Sequence, residues 1–105
     1  MEETEFEVAA GAALARLERA LDGCAAAVDY ELQPGGVIEL EFGDGSKIVV
    51  NRHAAAREIW VAARAGGFHF RHEGGRWVDT RGGSELFEAL SRLVSAQAGE
   101  PVTLA

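Results

Sequence analysis

The chain has 105 residues, 48% of them apolar, and a formal net charge of −7. This is enough for one domain with one core and too apolar for a disordered chain, and no apolar run approaches the roughly 18 residues that a membrane-spanning helix needs. The charge is uneven: residues 1–45 hold eleven acids and two bases, residues 46–105 six acids and eight bases, so the acidic half disfavours nucleic acid and anionic membrane and suits cations or a basic protein surface.

The first residues, Met-Glu-Glu-Thr-Glu, are acidic, which argues against a secretory signal or a transit peptide. The spacing of Phe6, Ala10, Ala13, Leu14, Leu17 and Leu21 predicts a helix over residues 4–22, rich in alanine. Thr4 is the expected cap, with acids in the first turn, and Gly23 the expected end. Glu18 and Asp22 are four apart and share a face. A single cysteine, Cys24, allows neither an internal disulfide nor a cysteine-based metal site, and it fits a reducing, cytoplasmic setting. Residues 24–27 are small and uncharged.

Residues 28–32 and 37–42 alternate with period two. Val28, Tyr30 and Leu32 are expected to face the core with Ile38, Leu40 and Phe42. A three-residue turn, Pro34 to Gly36, pairs Leu32 with Ile38 and Tyr30 with Leu40. The same register sets Glu31 opposite Glu39 and Asp29 opposite Glu41, so four carboxylates share one exposed face. Like charges directly opposite each other destabilise a sheet. A cation or a basic partner would relieve them, or water alone tolerates them.

Asp44-Gly45 marks a hairpin turn into the strand Lys47–Arg52, with Ile48 and Val50 inward. Asn51 is expected across from Glu39. Residues 52–57 read as a loop and residues 58–64 as the next strand. Ile59, Val61 and Ala63 face its core side, and Trp60 the side that carries Asn51 and the acids. An exposed tryptophan can mark a contact surface, or lie flat over its neighbours. Gly66-Gly67 reads as a two-residue turn that sets Arg64 opposite His69. Gly74-Gly75 makes another, setting His72 opposite Trp77. His69 and His72 lack a second histidine at metal-ligand spacing on a helix and read as structural or solvated. A second helix over residues 84–97 follows, with Leu86, Leu90, Leu93 and Val94 as its stripe, Phe87 beside it and Ser84 as its cap. Val102 and Leu104 can pack back on the core.

The expected fold is α+β: a two-layer sandwich over residues 1–105 of one helix, about six antiparallel strands and a second helix. Both helices cover one face of the sheet. No glycine-rich phosphate loop, no nucleophile with an evident base and no basic aromatic stripe is visible. The residues alone point to an acidic domain with a cation- or protein-binding sheet face.

The run Phe42-Gly-Asp-Gly-Ser-Lys-Ile-Val-Val-Asn-Arg, followed by Ile59-Trp-Val-Ala, Gly66-Gly-Phe-His-Phe and Trp77, resembles the bacterial frataxin family (CyaY). The resemblance extends from Glu5-Phe6 to Gln97-Ala-Gly-Glu100 without gaps. It implies a small, non-catalytic protein of iron–sulfur cluster assembly. Such a protein binds iron (Fe2+ or Fe3+) weakly on an acidic ridge formed by the first helix and first strand. It meets a cysteine desulfurase through that ridge and the iron–sulfur scaffold protein through the sheet, and is a monomer without iron. Carried over by position, the ridge is Glu18, Asp22, Asp29 and Glu31, and the sheet contact is Asn51 and Trp60. The ridge is thinned here, with Arg19, Gly23, Ala25 and Ala27 at places that often carry acids. His53 stands where a glutamine is usual, and Glu39 and Glu41 are added acids. The iron site is therefore expected to shift toward Asp29, Glu31, Glu39 and Glu41. Oxygen ligands on an open surface select poorly, so calcium, cobalt or manganese should compete. Two other functions fit the same surface: a ferroxidase, or a protein-interaction module whose metal binding is incidental.

Overall fold

The alanine-rich stripe forms helix α1, Glu3–Asp22, in a computed structural model that describes residues 1–24 and 28–105. Its buried side chains are the six expected from spacing, Phe6 through Leu21. Thr4 does not cap it. Glu2 is the extended residue before the first turn, and its N–H donates to Glu5 Oε1 at 3.4 Å. Gly23 ends the helix, its N–H donating to Arg19 O at 3.1 Å. Ala25 and Ala27, which the sequence reads as small and uncharged, lie outside the described residues.

Six antiparallel strands then follow one another across a single sheet in chain order: β1 (Asp29–Gln33), β2 (Val37–Glu41), β3 (Lys47–His53), β4 (Glu58–Ala63), β5 (Gly66–Glu73) and β6 (Arg76–Asp79). Helix α2, Leu86–Ala98, closes the order. Inward residues such as Ile38, Leu40, Ile48, Val50, Ile59 and Phe70 join the stripes of both helices in one apolar cluster. Both helices therefore lie on the same face, and the other face stays open.

The β1–β2 register is the expected one, with Leu32 opposite Ile38. Leu32 nevertheless stays 56% exposed. β1 is the edge strand, and the apolar cluster reaches only as far as the partly buried Tyr30. β3 is longer than expected: Arg52 and His53 are ladder residues opposite Ile59 and Glu58, and the connection to β4 shrinks to residues 54–57. Asn51 lies opposite Val37, not Glu39, which faces Val49.

The largest difference is the β4–β5 turn. Gly66 and Gly67 do not make it; they open β5, opposite Ala63 and Ala62. Arg64 and Ala65 turn the chain instead. Arg64 is drawn out of the ladder because its N–H donates to Gln97 Oε1 at 3.1 Å and its guanidinium pairs with Asp44 at 2.5 Å. Gly66 then takes φ 143°, a conformation that side chains avoid. The partner of His69 moves from Arg64 to Trp60, an even number of residues, so no side chain changes face.

Glu85, not Ser84, caps α2: its carboxylate accepts the N–H groups of Phe87 at 3.0 Å and Glu88 at 3.2 Å. A carboxylate also suits the positive end of the helix. Leu93 is only partly buried, while Gln97 is buried and donates to Ser46 Oγ at 3.0 Å. The tail packs back along α2. Ser95 Oγ accepts the Val102 N–H at 2.8 Å and Ser91 Oγ that of Leu104 at 2.9 Å.

Gly36 closes the β1–β2 turn at φ 77°, with the Arg52 side chain against it on its way to Glu7, 3.2 Å from the guanidinium. A Cβ there would collide with Arg52. Gly36→Ala should cost about 1–3 kcal/mol, seen as a lower urea midpoint at unchanged slope. Gly35→Ala, at similar φ but facing open space, should cost only about 1 kcal/mol. Equal losses would show that the Arg52 contact is not the cause.

Candidate functional site

The six acids singled out from the sequence fall into two groups, one on each side of edge strand β1. Glu18 and Asp22 lie at the end of α1, on the helix side. The inward parity of Tyr30 aims its hydroxyl at them, and it donates to Asp22 Oδ1 at 2.5 Å. That hydrogen bond, with partial burial and the charges of Asp22 and Glu18, holds the Tyr30 phenol above its usual range.

The other four acids stand on the open face. Asp29 is opposite Glu41 and Glu31 opposite Glu39, as expected. With Tyr30 they line a shallow hollow of about 90 Å³. The outward parity of β3 puts Lys47 beside them, its Nζ 3.0 Å from Glu39 Oε1. Glu39 first, then Glu41 and Glu31, holds this ammonium protonated above the usual lysine range. The cation that the facing carboxylates call for is thus partly supplied from within the chain. Among the described residues, no three acidic, histidine or cysteine side chains are drawn together as a metal-ligand set. The hairpin acids form an open charged surface, not a cage.

Asn51 and Trp60 face each other across β3 and β4, as parity requires. Trp60 does lie flat, but on residues that sequence reasoning left aside. Its indole is stacked between His53, at 3.8 Å between centroids and 11° between planes, and His69, at 4.5 Å and 9°. Glu58 lies beneath this row and is 7% exposed. One of its oxygens accepts Trp60 Nε1–H at 2.8 Å, and the other meets Arg71 Nη2 at 3.1 Å. The indole hydrogen bond, then Arg71 and the nearby His69, hold the Glu58 carboxyl below its usual range against the opposing effect of burial. Glu58 shares the outward parity of Trp60, a signal present in the sequence. The stacking with His69 was hidden by the displaced β4–β5 turn.

Similarity to known proteins covers the whole of this arrangement. The frataxin-like domain model matches residues 1–100. The chain is 60% identical over 104 residues to the iron–sulfur cluster assembly protein CyaY of Dechloromonas aromatica, covering 99% of each. The frataxin of Psychromonas ingrahamii superposes with a TM-score of 0.91 at 28% identity, over 100% of this chain and 99% of that one. A trimeric frataxin of the yeast Saccharomyces cerevisiae, complexed with ferrous iron, superposes with a TM-score of 0.66 at 26% identity, over 95% and 88%.

Because its folded value lies below the ordinary one, the Glu58 carboxylate stabilises the fold above about pH 4.3 and loses that contribution as pH falls through its own lower value. Glu58→Gln keeps an acceptor for Trp60 but removes the negative charge that faces Arg71. It should lower stability by roughly 1–3 kcal/mol at neutral pH. The gap to the parent should narrow between about pH 5 and about pH 2 in urea unfolding at stepped pH. A gap that stays constant would rule out the carboxylate charge as its source.

Proposed function

This chain belongs to the frataxin-like family, and from that premise we propose that it is an iron-binding regulator of iron–sulfur cluster assembly, acting through its acidic surface on a cysteine desulfurase complex. The observation that carries the reading is the hairpin register, which sets Asp29 against Glu41 and Glu31 against Glu39 on the open face. Glu18 and Asp22 add acids around the edge of β1. Iron is cargo here, held by carboxylate oxygens that other divalent cations also suit. A metal ion arriving at Glu39 competes with Lys47, which keeps binding weak. The basic surface of the desulfurase is proposed to meet Glu18 and Asp22, and the scaffold protein Asn51 and Trp60. We take residues 1–105 as one cytoplasmic domain, monomeric without iron, with no catalytic step of its own.

A protein-interaction module with incidental metal binding is the second reading. The lack of a preformed ligand set among the described residues favours it. A ferroxidase would need an ion held with open coordination positions, and the same observation gives that reading little support.

Manganese or ferrous iron titrated into labelled protein should broaden resonances around Asp29, Glu31, Glu39 and Glu41. Lys47→Ala should tighten binding by about 1.5- to 5-fold, the worth of an exposed ion pair. Broadening centred on Glu18 and Asp22, with no effect of Lys47→Ala, would return the site to the helix.

Docking on the desulfurase is tested separately. Reversing the charge at both Glu18 and Asp22 should weaken binding by about tenfold at low salt and less at high salt. A loss independent of salt would remove the electrostatic account. Inhibition or activation of the desulfurase that does not change with iron would favour the interaction module.

A further inference from the structure

The row His53, Trp60, His69 crosses three strands of the open face, and its two imidazoles are not equivalent. Nδ1 of His53 accepts the Ala56 N–H at 3.3 Å. That nitrogen must carry a lone pair for the contact to exist, so a proton added there would break it. Nδ1 of His69 instead faces Glu58 Oε1 at 3.6 Å, and the same oxygen accepts the Trp60 indole N–H. A proton on His69 is therefore met by a carboxylate at its edge and by the indole π-face beside it. A proton on His53 meets only the indole, at the cost of a backbone hydrogen bond.

The charged and titratable groups facing the row are Glu58 on β4, Arg71 on β5 and the two imidazoles. The strands beyond present uncharged neighbours: Val37 opposite Asn51, Val78 opposite Arg71, and Thr80, whose N–H donates to His69 O at 2.9 Å. Arg71 is committed to the second oxygen of Glu58 and leaves Oε1 to His69 and Trp60.

We infer that His69 is a proton-operated lock on Trp60, with Glu58 as its positioning residue and His53 as a neutral backstop. With His69 protonated, the imidazolium is attracted to Glu58 and to the indole at once, and the ring is clamped within the row. With His69 neutral, only ring stacking and the Glu58 hydrogen bond hold the indole, and its edge is freer to move toward a partner. The acidity of the medium then sets how firmly the most prominent aromatic of the open face is held. This device does not depend on iron binding.

The test follows the Trp60 indole N–H and the histidine ring signals by NMR in the full chain while pH is lowered from about 8 to about 5. The Trp60 signal should move in one step, with the midpoint of His69, and its exchange with solvent should slow. His69→Gln, at a half-exposed position, should abolish the step, and His53→Gln should leave it in place. Glu58→Gln should shrink the step, because the imidazolium then has no carboxylate at its edge. A Trp60 signal that does not respond to pH overturns the inference. So does a step that survives His69→Gln, or one that follows His53.

Discussion

Each strand can turn only every second side chain toward the core, and both helices cover the same face of the sheet. Everything else depends on that parity being kept through five successive turns. A turn that slipped by one residue would carry a strand's whole apolar set into water. The turns are held accordingly. Ser46 and Arg64 both bind Asp44, whose carboxylate is kept well below the usual range first by Ser46 and then by Arg64. Gln97 reaches from α2 to the same two turns, donating to Ser46 Oγ and the Lys47 carbonyl and accepting from Arg64 N–H. One buried amide thus links the end of the second helix to two hairpins and sets where β4 stops.

With the inner face committed to the core, the outer face carries the polar chemistry, and it is not uniform. Acids stand on β1 and β2, a lysine beside them on β3, and an aromatic–imidazole row with an arginine across β3, β4 and β5. The two ends differ in how far their charges are already paired. Glu58 is buried and takes an indole N–H and a guanidinium. A buried carboxylate left without such donors would cost far more than an exposed one. Asp29, Glu31 and Glu41 stay in water, and among the described residues the ion pair at this end is Lys47 with Glu39.

The fold was legible because alternation and helical spacing are strong and agree with each other. The core stripe of α1 and the register of the β1–β2 hairpin were readable residue by residue, and with them the facing carboxylates. Capping differs from expectation at both helices because Thr4 and Ser84 are the usual cap types, whereas the cap position of α1 is two residues before Thr4, where the Glu2 N–H meets the Glu5 carboxylate, and α2 is capped by the Glu85 carboxylate one residue after Ser84. The β4–β5 turn was misread for a different reason. A Gly-Gly pair is a strong local signal, but the turn is placed by Gln97 and Asp44, which are distant in sequence. Parity survives that displacement, because a partner shift of four residues leaves His69 on the same face. Its neighbour was not recoverable, and with it went the stack on Trp60. The exposure of Leu32 was also beyond local reading, since alternation says which face a residue takes and not where the covering helices end.

The facing carboxylates have a structural use that does not compete with a binding role. β1 is an edge strand, short, with an exposed leucine at its far end. An uncovered edge with apolar side chains is a template for pairing with another chain. Asp29 and Glu31 place charge on that edge, and Glu39 and Glu41 double it on the neighbouring strand. A second strand approaching β1 would have to desolvate these charges or neutralise them. The repulsion within the hairpin is modest because Asp29, Glu31 and Glu41 stay in water and Lys47 pairs with the half-buried Glu39. The same exposure that makes the repulsion tolerable leaves their oxygens open to ions and basic surfaces. On this edge, protection against wrong pairing and readiness to bind a cation are one property, set by β1 lying where the covering helices stop.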